Sequence, residues 1–383
     1  MENKLKKCPV SKYCGGCKYQ GIDYAKQLEL KQEKVEKLLG SFHHVEKIIG
    51  MDNPYHYRNK VQMNYAYDDN HRIISGYYVE GSHIIVPVDE CQITDQKINE
   101  ILYSIKRIVS RLHISIFDER VMKGCLRHVL VRSTNKDEYM VVLVTGSFNI
   151  VKKELLIKEI LKYNPSVKTI VQNINRRKTS MVLGDKNTVL YGKGYITDKL
   201  CGLQFRISPS SFYQVNSRQT EILYNEAIKG AKLNKNEVLL DAYCGTGTIG
   251  LAASKHVKKV IGVESNASAI KDANINMKIN GIDNTEFVLE DAGKYMEYLS
   301  KNRIHIDTVI MDPPRAGADM RFMSSMVKLN PDKIVYVSCN PITLKDNLKY
   351  LSKYYKIEYI RPVDMFPFTE HVESVVLMSR AGS

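Results

Sequence analysis

Cys339 stands in Ser338-Cys339-Asn340-Pro341, at the end of the apolar run Ile334-Val335-Tyr336-Val337. A thiol at the C-terminal tip of a parallel strand lies where open α/β sheets bind ligands. The turn dipeptide Asn340-Pro341 then directs the chain outward. Cysteine packs as a small hydrophobe as readily as it reacts, so its neighbours must decide its role. Glu373 opens the last strand pattern, Val375-Val376-Leu377-Met378, and a doubly wound sheet can bring it to the same crevice. Taken alone it is a solvated carboxylate at a strand end, because exposure is the rule for Glu. Taken together, a thiolate and a carboxylate supply covalent catalysis and proton abstraction.

A second group of residues could hold a cofactor. Val238-Leu239-Leu240-Asp241 runs into Tyr243-Cys244-Gly245-Thr246-Gly247-Thr248-Ile249-Gly250. The glycines match G-x-G-x-x-G between a strand and a helix, which permits a tight turn and close approach of a ligand to the backbone. Glu264 ends the next strand pattern, where an acid can accept from both hydroxyls of a ribose. A nicotinamide-dependent oxidoreductase and an S-adenosylmethionine (SAM) methyltransferase share these features.

Asp312-Pro313-Pro314-Arg315 separates the two classes. Two prolines at a strand tip fix a rigid, extended loop beside a reacting group, which a dehydrogenase does not need. Methyltransferases of exocyclic amines carry a similar loop with an aromatic where Arg315 stands, but an amine needs no covalent help. Carbon 5 of uracil does. It becomes nucleophilic once a thiolate adds to carbon 6, and a base must then remove the carbon 5 proton before the thiolate can leave.

On these motifs the chain resembles the RNA uracil-5-methyltransferase family, and within it the 23S rRNA 5-methyluridine enzymes. The likeness rests on Ser208-Pro209-Ser210-Ser211-Phe212-Tyr213-Gln214-Val215-Asn216, on Asp241 through Gly250, on Asp312-Pro313-Pro314-Arg315, on Ser338-Cys339-Asn340-Pro341, and on Asp364-Met365-Phe366-Pro367 leading to His371-Val372-Glu373. The resemblance implies Cys339 as nucleophile and Glu373 as base. It implies SAM as cofactor, at Gln214, Tyr243, Gly245, Glu264 and Asp312, with Asp291 near the adenine. Phe212 and Gln214 would shape the pocket for a uracil flipped out of its stack. Tyr243 replaces the more usual Phe and keeps a ring face.

Cys8, Cys14 and Cys17 form C-x5-C-x2-C, and Cys91 lies far downstream. Four thiolates suit a structural zinc or an iron–sulfur cluster. The resemblance implies a [4Fe–4S] cluster on these four. Cys125, Cys201 and Cys244 read as packed residues. Many members of the family begin with a small β-barrel before the cysteines. This chain starts seven residues before Cys8, so no barrel is expected, and RNA must be held by the cluster region and the region after it.

The chain has 383 residues, 44% hydrophobic and 26% charged, with a formal net charge of +14. That balance favours an acidic partner such as RNA, and 23S rRNA is the expected one, with tRNA the alternative. Candidate phosphate contacts are Lys4, Lys6, Lys7, Lys12, Lys18, Arg58, Lys60, Arg127 and Arg176-Arg177-Lys178, with Arg132 singled out as substrate-binding. The 24 tyrosines could stack on unpaired bases. No stretch is long and apolar enough to span a bilayer, and the charged N-terminus is no secretory signal. A cytoplasmic enzyme is expected, with no obligate protein partner and, in that compartment, no disulfide framework.

Residues 22–40 read as a helix, and 55–210 are rich in short β-branched and aromatic runs. From about residue 215 strand and helix alternate, with strands expected at 237–241, 259–264, 285–289, 307–312, 333–338, 356–361 and 373–378. This predicts an α/β class I SAM methyltransferase, with a Rossmann-like, mostly parallel seven-stranded sheet. The loop 362–372 suits a hairpin, making the last strand an antiparallel edge. The expected domains are 1–50 (cysteine cluster and helix), 51–210 (β-rich, RNA-binding, including Cys91) and 211–383 (methyltransferase).

Overall fold

The structure, a computed structural model, describes residues 7–179 and 181–380. In chain order the elements begin with α1 (Tyr24–Leu39), β1 (Lys60–Tyr67), β2 (Ile73–Tyr78), β3 (Ile85–Pro87) and α2 (Gln96–Leu112). There follow β4 (Leu126–Ser133), β5 (Tyr139–Thr145), α3 (Lys153–Tyr163), β6 (Val167–Ile174), β7 (Lys186–Tyr191), β8 (Ile196–Leu200) and β9 (Leu203–Ile207). The alternating part runs α4 (Ser217–Ala231), β10 (Val238–Ala242), α5 (Thr248–Ala253), β11 (Lys259–Glu264), α6 (Ala267–Ile279), β12 (Thr285–Leu289) and α7 (Ala292–Lys301). It ends with β13 (Thr308–Met311), α8 (Met320–Leu329), β14 (Lys333–Ser338), α9 (Pro341–Leu351), β15 (Tyr355–Val363) and β16 (Glu373–Arg380).

These elements form two compact units. The first takes residues 1–21, 54–199 and 206–210, the second 22–53, 200–205 and 211–383. The first fifty residues, expected as one region, therefore divide at residue 21. The reason is chemical: α1 carries Lys31, whose side chain is fully buried against Asp364 of the second unit at 2.6 Å. A lysine in such a place needs its partner to be folded around it.

The first unit is built on a mixed sheet in the order β3-β2-β1-β4-β5-β6-β7. Both faces of β4 and β5 are buried. Helix α2 covers the sheet with Ile98, Ile101, Leu102, Ile105, Ile108, Val109 and Leu112, one stripe at helical spacing. The Asp95 side chain caps it, accepting from the Ile98 amide at 3.0 Å.

The second unit holds the order β12-β11-β10-β13-β14-β16-β15. Strands β12 to β14 are parallel, and β16 pairs antiparallel with both β14 and β15. The seven strands and their mostly parallel pairing are as the sequence implies. The place of the last strand is not: β16 lies inside the sheet, and β15 is the edge. Burial explains the swap. The first six residues of β16 are all buried, as an interior strand requires, whereas β15 mixes buried positions with partly and fully exposed ones. The sequence reading marks no strand at β6 to β9, of which β8 and β9 form a separate two-stranded sheet. β7 is exposed at five of its six positions and so carries no apolar alternation.

Candidate active site

The C-terminal ends of the parallel strands deliver the functional side chains to one edge of the second unit's sheet, where open α/β folds bind ligands. Tyr243 follows β10, Glu264 ends β11, Asp312 follows β13 and Cys339 follows β14. Because β16 runs antiparallel, its first residue, Glu373, comes to the same edge.

The glycine turn is shaped for a ligand. Tyr243 has φ 63°, and Gly245, at φ 55°, has nothing within 4 Å in the direction of a Cβ. Gly250 is required by close approach, since a Cβ there would meet Asp241 Oδ2 at 2.7 Å. Instead the Gly250 amide donates to that oxygen at 2.8 Å. Glu264 accepts from the Gly245 amide at 3.2 Å and from the Asn266 amide at 2.8 Å. Its carboxylate is thus oriented by backbone, with lone pairs left for a diol. The Tyr243 ring packs on Phe322 at 5.3 Å between centroids. Asp291 is exposed and caps α7, accepting from the Lys294 amide at 3.0 Å. Gln214 is half-buried, and Phe212 beside it leaves 66% of its surface exposed.

The Asp312–Ala318 loop is pinned from the α9 side. Asn340 donates to the Arg315 carbonyl at 3.1 Å, as does the Thr343 hydroxyl. Asn347 accepts from the Ala318 amide at 2.9 Å and from the Tyr336 hydroxyl at 2.7 Å. Asn340 also caps α9, accepting from the Ile342 amide at 3.1 Å. The residue after the cysteine therefore locks the Cys339 turn to the Asp-Pro-Pro-Arg loop. Thr343 and Asn347 carry no signal in the sequence reading, and Asn340 enters it only as a turn residue, although an Asn before proline at the first helical position also marks an N-cap.

Electrostatics single out one further residue, Arg315. Burial pushes the Asp312 carboxyl up to about 7. Asp241, buried, is pushed up to about 7 by desolvation, with the charges of Asp312 and Glu264 adding. Burial, then the charge of Asp312, holds Glu373 well above the usual carboxylate range. Burial, then Glu373 and Asp312, pushes the Cys339 thiol up to about 11. Arg315 opposes both of the last two shifts. These are the interactions of one cluster: a thiol and acidic groups close enough to repel each other's charge, with one guanidinium against them.

Arg132 belongs to the first unit. It is buried on β4, in register with Lys60 of β1. Burial, then the charges of Arg132 and Arg58, lowers the Lys60 ammonium to about 7. Arg127 is engaged internally. It donates to the Asn175 and Arg177 carbonyls at 2.8 and 2.9 Å, pairs with Glu119 and lies over the Phe117 ring, so it is not offered to a phosphate. Lys4 and Lys6 lie outside the described residues.

The first unit also gathers Cys8, Cys14, Cys17 and Cys91, all free thiols lining one small cavity with Val10, Tyr77 and Val88. Cys91 is held by Asn99, which accepts from its amide and donates to its carbonyl, both at 3.1 Å. Cys14 bridges to Val79, and the Cys8 amide donates to Gln20 at 3.3 Å. Burial, then the nearby thiols Cys91 and Cys14, pushes Cys17 up to about 12. Among the described residues no group of three or more His, Cys, Asp or Glu is drawn in tightly enough for a single metal ion.

With this geometry in view, the profile of the tRNA (uracil-5-)-methyltransferase family matches residues 23–381. The chain belongs to that family. As a family member it is an RNA (uracil-5-)-methyltransferase, and the nicotinamide and exocyclic-amine readings fall. It is similar to an uncharacterized RNA methyltransferase of Oceanobacillus iheyensis, 41% identical over 371 residues, 95% of this chain and 81% of the relative. One of Clostridium tetani is 41% identical over 381 residues, 98% of this chain and 83% of the relative. Among solved structures it is similar to the Pyrococcus abyssi tRNA (uracil-54, C5)-methyltransferase in complex with S-adenosyl-L-homocysteine. That likeness has a TM-score of 0.79 at 31% identity and covers 96% of this chain and 86% of the other. No helix among the described residues of this methyltransferase is long and apolar enough to cross a membrane.

Proposed function

We propose that this enzyme transfers the methyl group of SAM to carbon 5 of a uridine in 23S rRNA, through a covalent adduct of Cys339 with carbon 6. The observation that carries the reading is the convergence of a thiol and a carboxylate at facing strand ends, beside an oriented acid and a glycine turn. SAM would lie along that turn, its ribose hydroxyls donating to Glu264 and its adenine toward Asp291, with Gln214 and Tyr243 closing the site. The acidic groups suit a cationic sulfonium, because a positive charge beside buried carboxylates relieves their mutual repulsion. The Pyrococcus abyssi enzyme's bound S-adenosyl-L-homocysteine supports the same cofactor class.

The steps balance. The Cys339 thiolate forms a bond to carbon 6 and pushes the ring electrons onto the 4-oxygen as an enolate. Carbon 5 attacks the methyl, and the carbon–sulfur bond of the sulfonium breaks to release S-adenosylhomocysteine. Glu373 then takes the carbon 5 proton, the 5,6 double bond re-forms, and the thiolate leaves. Phe212 offers an exposed ring for the extruded base to stack on, and Arg132 is proposed to contact the RNA.

The four amino-terminal cysteines fit a [4Fe–4S] cluster in donor chemistry, since four thiolates are its usual set. One C-x2-C unit with a longer C-x5-C gap and a distant Cys91 is less like the paired C-x2-C units of structural zinc. Bound there, the cluster would tie the chain's start to the β-rich sheet.

The 23S rRNA assignment rests on the cysteine pattern. A tRNA substrate is the second reading, favoured by the name of the Pyrococcus abyssi relative. Mapping 5-methyluridine in rRNA and tRNA from a deletion strain decides between them: the position lost from one RNA class is the target. Incubation with SAM and 5-fluorouridine-containing RNA tests the chemistry. An SDS-stable adduct is expected, and one that survives Cys339→Ala would overturn the mechanism.

A further inference from the structure

Helix α1 presents an unusual face. Tyr24, Gln27, Lys31 and Lys34 recur at three- and four-residue spacing, so they lie along one side of the helix. All four reach into the loop between β15 and β16. Lys31 Nζ donates to Asp364 Oδ1 at 2.6 Å and to the Phe366 carbonyl at 3.1 Å. The Tyr24 hydroxyl donates to Asp364 Oδ2 at 2.9 Å. Gln27 accepts from the Phe368 amide at 2.8 Å, and Lys34 donates to the Glu370 carbonyl at 3.1 Å. From the start of α4, Asn216 donates to the Met365 carbonyl and Gln219 to the Asp364 carbonyl, each at 2.9 Å.

The Lys31–Asp364 pair is wholly buried on both sides. Replacing such a pair with hydrophobic residues is often neutral or stabilising, because desolvation offsets the attraction. Stability alone therefore gives little reason for it, whereas its position does. Asp364 directly follows Val363, which pairs across the hairpin with Glu373. Fixing Asp364 fixes the strand end opposite the proposed base.

We propose that Lys31 and Asp364 are positioning residues for the proton-abstraction step. The ion pair, with the helix face around it, holds the 364–372 loop so that the Glu373 carboxylate meets the carbon 5 hydrogen of the methylated adduct. This rests on Glu373 acting as the base. Thiolate addition and methyl transfer need Cys339 and the cofactor but not the correct placement of Glu373. A slack loop should therefore slow release and leave the earlier steps intact.

The test uses the full-length enzyme, SAM and unmodified uridine RNA under single-turnover conditions. Methyl transfer and the lifetime of the SDS-stable, methylated enzyme–RNA adduct are followed separately. In Lys31→Met/Asp364→Leu, adduct release is expected to slow by at least about tenfold, because a misplacement of about 1 Å can cost about a hundredfold. Methyl transfer should change by less than about threefold on the same reasoning. Lys31→Arg, which restores a charge to the pair, should recover release. If the double variant does not fold, Tyr24→Phe removes a single hydroxyl and should still lengthen adduct lifetime. Glu373→Gln is run alongside. If it accumulates adduct and the α1 variants release at the wild-type rate, or slow every step equally, the positioning role is overturned. If Glu373→Gln itself accumulates none, the base assignment fails instead.

Discussion

Cys339 and Glu373 occupy facing positions at the end of the β14–β16 pair, one residue beyond the directly paired Ser338 and Ser374. Neighbouring positions of antiparallel strands lie about 4.5–5.5 Å apart at Cα. The topology therefore does what no helix or loop arrangement of the two segments could do as rigidly. It sets the proposed nucleophile and base by backbone register, and after burial the charge of Glu373 is the largest influence raising the thiol.

Removing either residue should stop the cycle at a different point. Cys339→Ala should lower methylation by at least about a thousandfold, as losses of a covalent nucleophile do, and form no adduct with 5-fluorouridine RNA. Glu373→Gln should transfer up to one methyl per enzyme and then retain the RNA. Radiolabelled SAM with denaturing gels reads both. Multiple turnovers by Glu373→Gln at the wild-type rate would remove it from the mechanism.

Cofactor charge should activate the thiol. In the ligand-free protein the Cys339 thiol is pushed up to about 11, by burial first and then by Glu373 and Asp312. Its alkylation by iodoacetamide should keep rising with pH past the ordinary thiol range. SAM, which brings a positive sulfonium to those acids, should shift the profile to lower pH, and neutral S-adenosylhomocysteine should shift it less. Equal profiles with both ligands would count against a sulfonium placed beside Asp312.

Arg315 should matter through charge. It is the cation that opposes the upward shifts of Cys339 and Glu373. Arg315→Ala should move the ascending limb of the activity profile to higher pH and lower neutral-pH activity by roughly three- to tenfold, as expected for an exposed charge worth about 1 kcal/mol. Arg315→Lys should recover most of it. A uniform loss at every pH would assign Arg315 to binding alone.

Much of this site was legible in the chain. The glycine turn, Glu264, the Asp-Pro-Pro loop and the tip cysteine are short motifs whose chemistry depends on residue type. They stand at strand ends that apolar runs mark clearly. What hid were relations between distant segments. The stripe Tyr24, Gln27, Lys31 and Lys34, buried at Gln27 and Lys31, reads in sequence as a solvated helix face, because burial of a lysine becomes sensible only once Asp364, 333 residues later, folds against it. The insertion of β16 between β14 and β15 is likewise a matter of pairing, and a hairpin-length loop allows either strand to be the edge. Arg127 looked available because a sequence does not show Glu119 and two carbonyls closing around it.

Asp312 should make stability fall with rising pH. Its folded-state value is raised from 3.8 to about 7 by burial, so between about pH 4 and 7 the folded chain holds a proton that the unfolded chain has lost. The contribution is fully present below the unfolded value and is gone once pH passes the folded one. Asp312→Asn should flatten the decline in this window by about 1.4 kcal/mol per pH unit at most. Denaturant midpoints at about pH 4.5, 6 and 7.5 give the slope for both proteins. SAM should flatten it too, by stabilising the ionised carboxylate. Parallel slopes for wild type and Asp312→Asn would mean that the carboxyl is already ionised in the free enzyme.

The amino-terminal thiols give a prediction independent of catalysis. Protein purified without oxygen should contain about four irons and four sulfides per chain, with the broad visible absorption of a cubane cluster. Cys17→Ser should lose the iron and loosen the Cys8–Gln20 segment, seen as faster amide exchange there. Asn99→Ala, which frees Cys91 from both of its backbone hydrogen bonds, should weaken iron retention without removing a ligand. About one zinc and no iron in the anaerobic protein would replace the cluster with a mononuclear site.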